Sequence, residues 1–170
     1  MKQKKLAIIA TKGTLDWVYP PLILASTAAA LGYQVEVFCT FYGLQLLRKN
    51  VETLQVSPLG NPGMPMKMPY GPEWLQNMDL KIPNIIQSNM PGYEALATSL
   101  MKKTISNNGV ASVAELRELC IEAEVKFIAC QMTVDLFGFD AEKDFIDGLE
   151  YAGAASFFEF AGDSDICLNF

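Results

Sequence analysis

The residue in this sequence best suited to chemistry is a cysteine that closes a strand. Val125–Ala129 is a mainly apolar run typical of a buried strand, Cys130 ends it, and a helical pattern begins at Met132. In an open α/β sheet, ligands gather at the carboxyl ends of strands, and a helix amino terminus favours a thiolate over a thiol. Gln131 and Thr133 add hydrogen-bonding groups beside the sulfur. The same pattern also fits a small core residue at a strand end, so a reactive and a structural interpretation both stand.

The chain has no histidine, and this absence removes several classes of site. Ser-His-Asp and Cys-His catalysis, histidine metal sites and imidazole proton transfer are all excluded. The four cysteines are spread without a CxxC pair, so they do not have the spacing of a zinc ribbon. We therefore expect no metal site and no cofactor. We also expect free thiols, because a reducing compartment disfavours structural disulfides.

The loop after the first predicted strand offers a second candidate site. Lys12, Gly13 and Thr14 precede a predicted helix, so their backbone N–H groups could hold an anion. Lys12 is also the cation best placed to stabilise a thiolate at Cys130. The loop lacks both G-x-G-x-x-G and G-x-x-x-x-G-K-[ST], so a nucleotide site has weak support. The alternative is an ordinary turn in which Asp16 caps the helix.

The other three cysteines fit structural positions. Cys39 ends the second predicted strand, and it approaches Cys130 if the two strands end side by side. Buried packing is the favoured interpretation of Cys39, because unreactive buried cysteines are common. Cys120 lies on the apolar face of a predicted helix, and Cys167 lies inside the last predicted strand, so both are interpreted as packed residues.

The elements that position these residues alternate along the chain. We predict strands at Lys5–Thr11, Gln34–Cys39, Val125–Cys130 and Asp165–Phe170. We predict helices at Trp17–Leu31, Thr40–Asn50, Glu73–Met78, Tyr93–Asn107, Val113–Ala123, Met132–Phe137, Ala141–Tyr151 and Ala154–Ala161. This alternation predicts a three-layer α/β/α fold with a mainly parallel sheet of about four to five strands.

One irregular stretch, at about residues 51–91, interrupts this alternation. It holds seven of the nine prolines and includes the Met-rich run GNPGMPMKMPYGP. Thioether ligands suit Cu(I), but methionines more often supply adaptable contact surfaces. A segment of this length without periodicity is usually a lid, an interface loop or a mobile excursion. We predict one domain over residues 1–170, with this segment as an insertion.

The chain of 170 residues is acidic, with a formal net charge of -6 and a pI of about 4.6. Its basic residues are too few and too scattered to follow a phosphate backbone, so we expect no nucleic-acid partner. The basic start MKQKK is followed by an apolar run that is too short for a signal peptide or a membrane span. We therefore expect a cytoplasmic protein without stable membrane insertion.

Four stretches of the sequence resemble the DsrE/DsrF-like family, and in particular its longer, peroxiredoxin-associated branch. They are the first strand with KGTLD, then VEVFCTFYGLQLL, the Met- and Pro-rich middle, and VASVAELRELCIEAEVKFIACQMTVDLFGF with GLEYAGAASFFEFA after it. The likeness covers nearly the whole chain. The segment ending in ACQMTVDLFGF is its most specific part, and TFYGL is also distinctive.

The resemblance implies a flavodoxin-like fold, homo-oligomers in the trimer-to-hexamer range, and a sulfurtransferase or sulfur-carrier function. The family's reactive cysteine maps onto Cys130, which would accept sulfane sulfur as a persulfide or thiosulfonate and pass it to a protein thiol. A second participating cysteine of some relatives matches Cys120. Tyr42 and Gly43 of the TFYGL motif join the residues expected to bind substrate or stabilise the thiolate. The alternative is a non-catalytic oligomeric scaffold, or a small-anion or nucleotide-binding protein, with structural cysteines.

Overall fold

The computed structural model describes residues 3–57, 67–78, 83–87 and 89–170. The chain forms two compact units, Met1–Leu54 together with Val113–Phe170, and Gln55–Ser112. The first unit carries the sheet and all four cysteines. Of the Met- and Pro-rich segment, residues 58–66, 79–82 and 88 lie outside the described part of the chain.

A five-stranded parallel sheet forms the centre of the first unit. Its strands are β1 (Lys5–Ala10), β2 (Gln34–Cys39), β3 (Lys126–Cys130), β4 (Glu150–Ala152) and β5 (Ile166–Asn169). They lie in the order β4-β3-β2-β1-β5, so all five carboxyl ends meet at one edge of the sheet. The central strands are mainly apolar because helices bury both of their faces.

Helices cover both faces of the sheet, and the predicted three-layer α/β/α fold class is confirmed. The described helices are α1 (Leu15–Ala30), α2 (Glu73–Gln76), α3 (Asn84–Gln87), α4 (Tyr93–Asn107), α5 (Val113–Glu122), α6 (Gln131–Phe137), α7 (Ala141–Asp144) and α8 (Ala154–Ala161). On one face, α1 packs against β1, β2 and α5. On the other face, Phe157 and Phe160 of α8 pack against Ala7, Phe38 and Ile128 of the sheet.

The register of β2 against β3 decides which side chains meet at the carboxyl edge. Cys39 pairs with Ala129, so Thr40 comes next to Cys130. Successive side chains of a strand point to opposite faces of the sheet. The Cys130 side chain therefore shares the face of Ile128, which α8 covers, and Cys39 points to the opposite face.

The segment after β2 is a 3₁₀ helix, Phe41–Leu47, and not the predicted α-helix Thr40–Asn50. Its first turn is closed by a hydrogen bond from the Gly43 N–H to the Thr40 carbonyl, over three residues rather than four. The prediction was wrong because close packing of Gly43 on β1 selects the tighter turn, and local periodicity contains no sign of that contact.

The predicted helix Ala141–Tyr151 is also wrong in its second half. The structure has the short α7, then a turn through Gly148 at φ 78°, then the edge strand β4. Phe145 leaves the helix, is fully buried, and forms an isolated antiparallel bridge with Arg48. These tertiary contacts replace the helical continuation that the sequence pattern favours. A smaller correction concerns α1, whose N-cap residue is Thr14 and not Asp16.

The second unit, Gln55–Ser112, contains α2, α3 and α4. The Val56 N–H donates to the hydroxyl of the buried Thr98 at 3.0 Å, and the Asn107 side-chain amide donates to the Pro69 carbonyl at 2.9 Å. The prediction of a single domain with an insertion at about residues 51–91 stays a prediction. In the described parts of the chain, no helix combines the length and the apolar character needed to cross a membrane.

Candidate functional site

Cys130 lies where three elements meet, namely the end of β3, the start of α6 and the residue that follows β2. It occupies the N-cap position of α6, where backbone N–H groups have no partner within the helix. Only 5% of the residue is exposed. The strand-to-helix junction predicted around this cysteine is therefore present, at the carboxyl edge of the sheet.

The pKa of the Cys130 thiol is lowered from the ordinary value of a cysteine. Burial on its own raises this pKa, because a buried thiolate loses its solvation. Hydrogen bonding outweighs burial, since the hydroxyls of Thr133 and Thr40 and the backbone N–H groups of Thr133 and Met132 all favour the thiolate. The site therefore holds a sulfur that ionises more readily than an ordinary cysteine, without help from histidine.

Thr40 and Thr133 form a hydroxyl pair beside this sulfur. Their Oγ1 atoms are 3.1 Å apart, and the Phe41 N–H donates to Thr133 Oγ1 at 3.3 Å. Thr133 is fully buried, so these partners and not bulk water orient its hydroxyl. Phe41 has φ 49°, a left-handed conformation that a bulky residue rarely adopts. Strain of this kind persists mainly at functional sites, where the surrounding structure enforces it.

The Cys130 side chain also lies in an apolar cluster. The cluster is formed by buried residues of the sheet and of α8, namely Ala7, Phe38, Ile128, Phe157 and Phe160. The rings of Phe38 and Phe157 are 5.2 Å apart between centroids. Such surroundings exclude water from the sulfur, and they strengthen each hydrogen bond that reaches it.

Exposed aromatic side chains surround the junction on its outer side. Tyr42 stacks on Phe137 with ring centroids 6.0 Å apart, and Phe41 meets Phe137 edge-on at 6.3 Å. Tyr42 is 66% exposed, and Met132 is 58% exposed. The predicted site residue Tyr42 thus belongs to the surface next to the site, whereas Thr133 belongs to the donors at the sulfur.

The other three cysteines differ from Cys130 in burial and surroundings. Cys39 is fully buried on the opposite face of the sheet, and burial raises the pKa of its thiol. Cys120 on α5 is also fully buried, its Sγ donates to the Leu22 carbonyl at 3.5 Å, and burial raises the pKa of its thiol to about 11. Cys167 is exposed on the edge strand β5, so its interpretation as a packed residue was wrong. All four thiols are free.

Two of the predicted polar residues have partners other than the sulfur. The Lys12 ammonium lies 3.1 Å above the centroid of the Trp17 ring, a cation–π contact within its own loop and helix. The Gln131 side chain is exposed and donates to Asp135 Oδ1 at 2.8 Å, one helical turn away. Thr14 Oγ1 is buried and has no hydrogen-bond partner within the described part of the chain.

Gly13 and Gly43 let the loops after β1 and β2 pack against each other. A Cβ atom on Gly13 would overlap the Tyr42 carbonyl oxygen and lie 2.8 Å from Gln45 Cγ. A Cβ atom on Gly43 would overlap the Ala10 carbonyl group. Both positions need glycine because another part of the same chain approaches closely. The Cα of Gly13 thus packs against the segment after β2 and is not open to a ligand, which favours an ordinary turn over an anion-binding loop.

Thr40 is the site residue that sequence reasoning missed. It directly follows the second strand, as Cys130 closes the third, and parallel strands end at a common edge. That rule finds Thr40 only when β2 and β3 are known to be neighbours, and the strand order is not visible in the sequence. In the described residues, no group of three or more Cys, Asp or Glu side chains is arranged to hold a metal ion.

Comparison with known proteins adds a family and two relatives. The model of the DsrE/DsrF/DrsH-like family matches residues 2–169. The chain is 64% identical over 168 residues to the sulfur carrier protein DsrE2 of Allochromatium vinosum, and the match covers 99% of each protein. It is 27% identical over 165 residues to the uncharacterized protein YrkE of Bacillus subtilis, covering 97% of this chain and 96% of that protein.

Among solved structures, the crystal structure of the ychN protein from E. coli is similar to this chain with a TM-score of 0.57. The match covers 99% of this chain and 100% of that one, at 12% sequence identity. At that identity the likeness concerns the fold alone, and it agrees with the parallel α/β sheet described above.

Proposed function

This chain belongs to the DsrE/DsrF/DrsH-like family, and we propose that it is a sulfur carrier that holds sulfane sulfur on Cys130. Its 64% identical relative is named a sulfur carrier protein. The observation that supports Cys130 is the group of hydrogen-bond donors around one thiol, which lowers its pKa. Cys39 and Cys120 have raised pKa values, so they are poor nucleophiles in the folded protein.

Loading begins when the Cys130 thiolate attacks the outer sulfur of a donor persulfide or polysulfide. A new S–S bond forms at Cys130, the old S–S bond of the donor breaks, and the donor leaves as a thiolate that takes up a proton. No external oxidant or reductant is required, because the sulfane sulfur keeps its oxidation state. The persulfide is the proposed loaded form, and a thiosulfonate is the alternative when the donor is tetrathionate, whose central S–S bond breaks to release thiosulfate.

Delivery repeats the same exchange in the opposite direction. An acceptor protein thiolate attacks the outer sulfur of the Cys130 persulfide, and Cys130 leaves as a thiolate. A thiol of lower pKa is a better leaving group in such exchanges. The donors at Cys130 therefore assist both half-reactions, first by supplying the thiolate and then by accepting it back. These half-reactions make the protein a sulfurtransferase in the broad sense, without a cofactor.

Cys120 stays the proposed auxiliary cysteine, on the condition that the first unit opens. Its thiol is fully buried between α5 and α1, whereas Cys130 lies in the cluster with α8. Direct exchange between the two sulfurs would require an opening of the first unit. Cys130 therefore acts as the acceptor by itself in the ground-state structure, and Cys120 takes part only after such a change.

We also propose that the protein works as a homo-oligomer in the trimer-to-hexamer range, in the cytoplasm, with sulfur-donating and sulfur-accepting protein thiols as partners. Four free cysteines suit a reducing compartment. The outer side of α1 carries the exposed apolar residues Trp17, Ile23 and Leu24, which supports burial against another copy. Light scattering after size-exclusion chromatography checks the oligomer, and a purely monomeric mass contradicts it.

The carrier function is tested by loading the reduced protein with polysulfide and measuring its intact mass. Wild type gains sulfur atoms that a reductant removes, and Cys130→Ser gains far fewer. Cys167→Ser is the matched control, because it removes the exposed thiol and leaves the site intact. If Cys130→Ser loads as well as wild type, Cys130 is not the acceptor. If no variant loads, a scaffold with structural cysteines is the better description.

A further inference from the structure

The hydroxyl pair beside Cys130 has a limited number of protons. Each threonine hydroxyl can donate one hydrogen bond and accept two. The Oγ1 atoms of Thr40 and Thr133 are 3.1 Å apart, so one of the two hydroxyl protons lies between them. Only the other proton is then available for the Cys130 sulfur.

The Phe41 N–H favours one of the two possible directions of the pair. It donates to Thr133 Oγ1 at 3.3 Å, and it cannot accept. If Thr40 also donates to Thr133, both acceptor positions of the buried Thr133 oxygen are filled, and its own proton points to the sulfur. A hydroxyl that receives two hydrogen bonds is a stronger donor, because successive bonds polarise one another. This direction also satisfies every polar atom of a fully buried side chain.

We propose that Thr40 is a positioning residue, whose hydroxyl donates to Thr133 and thereby directs the single Thr133 proton at the Cys130 sulfur. Both hydroxyls lie within hydrogen-bonding reach of the sulfur, but Thr40 has one proton, and in this direction it goes to Thr133. The two threonines therefore act as one donor and not as two independent ones. The close packing of Gly43 on Ala10, and the hydrogen bond from the Thr40 N–H to the Ala10 carbonyl at 3.0 Å, hold Thr40 in place. This inference rests on the proposed role of Cys130 as the sulfur acceptor.

The pair acts mainly on delivery of the sulfur. In the loaded form the negative charge lies on the outer sulfur of the persulfide, and Cys130 Sγ is a neutral bridging atom. During delivery the S–S bond breaks, and charge returns to Sγ. A donor fixed toward Sγ stabilises that charge as it develops, without rearrangement. Loss of the Thr40 hydroxyl should therefore slow delivery to an acceptor thiol more than it changes the amount of sulfur loaded.

The test is a double-mutant cycle on the acidity of Cys130, in a Cys167→Ser background. The variants are Thr40→Val, Thr133→Val, the double variant, and Thr40→Ser as the conservative control that keeps the hydroxyl. The pH titration of thiolate ultraviolet absorbance gives the acid dissociation constant, with Cys130→Ser in the same background as the blank. This readout needs no sulfur donor, so its outcome is independent of the loading experiment.

One charge-assisted hydrogen bond corresponds to about a tenfold change in an equilibrium constant. We expect Thr133→Val to lower the acid dissociation constant about tenfold and Thr40→Val about threefold, with Thr40→Ser close to wild type. The double variant should match Thr133→Val, because Thr40 acts only through Thr133. If the two single effects multiply in the double variant, the threonines donate independently and the proposal is wrong.

Folding of the variants is checked by thermal melting. Thr133→Val leaves the Phe41 N–H and the Thr40 hydroxyl without a partner, so that variant is the one most at risk of not folding. If it does not fold, the size of the Thr40→Val effect decides the matter, because Thr40 is only partly buried and tolerates the change: a loss of about threefold supports action through Thr133, and a loss of about tenfold marks Thr40 as a direct donor to the sulfur and overturns the proposal. An unchanged dissociation constant in a folded Thr40→Val overturns the proposal, and a loss of about threefold that Thr40→Ser restores supports it.

Discussion

Replacement of Gly43 by alanine tests how the loops around Cys130 hold the site. The added Cβ would lie 2.5 Å from the Ala10 carbonyl carbon and 3.1 Å from the Thr11 nitrogen. Carbon atoms in contact prefer about 3.5–4.0 Å, so the 3₁₀ helix must move away from β1 by about 1 Å. Overpacking of this kind costs about 1–3 kcal/mol. We expect the free energy of unfolding in urea to fall by about 2 kcal/mol.

The same displacement should reach the reactive sulfur. The hydroxyls of Thr40 and Thr133 are 3.1 Å apart, and a shift of about 1 Å takes them beyond hydrogen-bonding distance. Gly43→Ala should therefore also raise the pKa of Cys130, and the thiolate titration measures it. Gly153→Ala is the matched control, because a Cβ there meets nothing within 4 Å and φ is -93°. A Gly43→Ala protein with the stability and thiol acidity of the Gly153→Ala control would refute this account of the loops.

Two further predictions concern buried charges away from the sulfur. Arg117 is 4% exposed and donates to the carbonyls of Leu46 (3.1 Å) and Arg48 (2.6 Å). Arg117→Met leaves both carbonyls without this donor, so it should lower the free energy of unfolding in urea by about 2–4 kcal/mol. A loss under about 0.5 kcal/mol contradicts this prediction. Burial raises the pKa of Glu36 although Lys126 opposes the rise. The ionised form of Glu36 therefore costs stability, which returns as pH falls through the raised pKa and is fully regained below the ordinary value for Glu. Glu36→Gln should therefore unfold at a higher urea concentration than wild type at neutral pH, and the difference should shrink in acid; an equal difference at every pH contradicts the assignment.

The strand-to-helix junction at Cys130 was predictable from sequence because its signals are local. The apolar run before the cysteine and the helical pattern after it are adjacent in the chain, and each is a recognised pattern. The alternation of strands and helices along the sequence predicted the α/β fold class in the same way. The donors Met132 and Thr133 lie within one helical turn of Cys130, so their proximity also follows from sequence.

What sequence could not predict depends on contacts between distant segments. Thr40 reaches the site only because β2 and β3 are neighbours, and Lys12 turns to Trp17 rather than to a thiolate. The face on which each cysteine lies depends on the register that pairs Cys39 with Ala129. Burial of Phe145 likewise ends a helix that periodicity would continue. Each of these outcomes follows from packing energies that no local window of residues contains.

The most direct measurement of the central claim locates the sulfur on the wild-type protein and follows its departure. The protein is loaded with radioactively labelled polysulfide, alkylated and digested with trypsin, which cleaves after Arg117, Lys126 and Lys143 and so places Cys120 and Cys130 on separate peptides. We predict that the label lies on residues 127–143 and is lost when a reduced protein thiol is added before alkylation. Label on the peptide of Cys120 or Cys167, or label on 127–143 that no thiol removes, would contradict the assignment of Cys130 as a sulfur carrier.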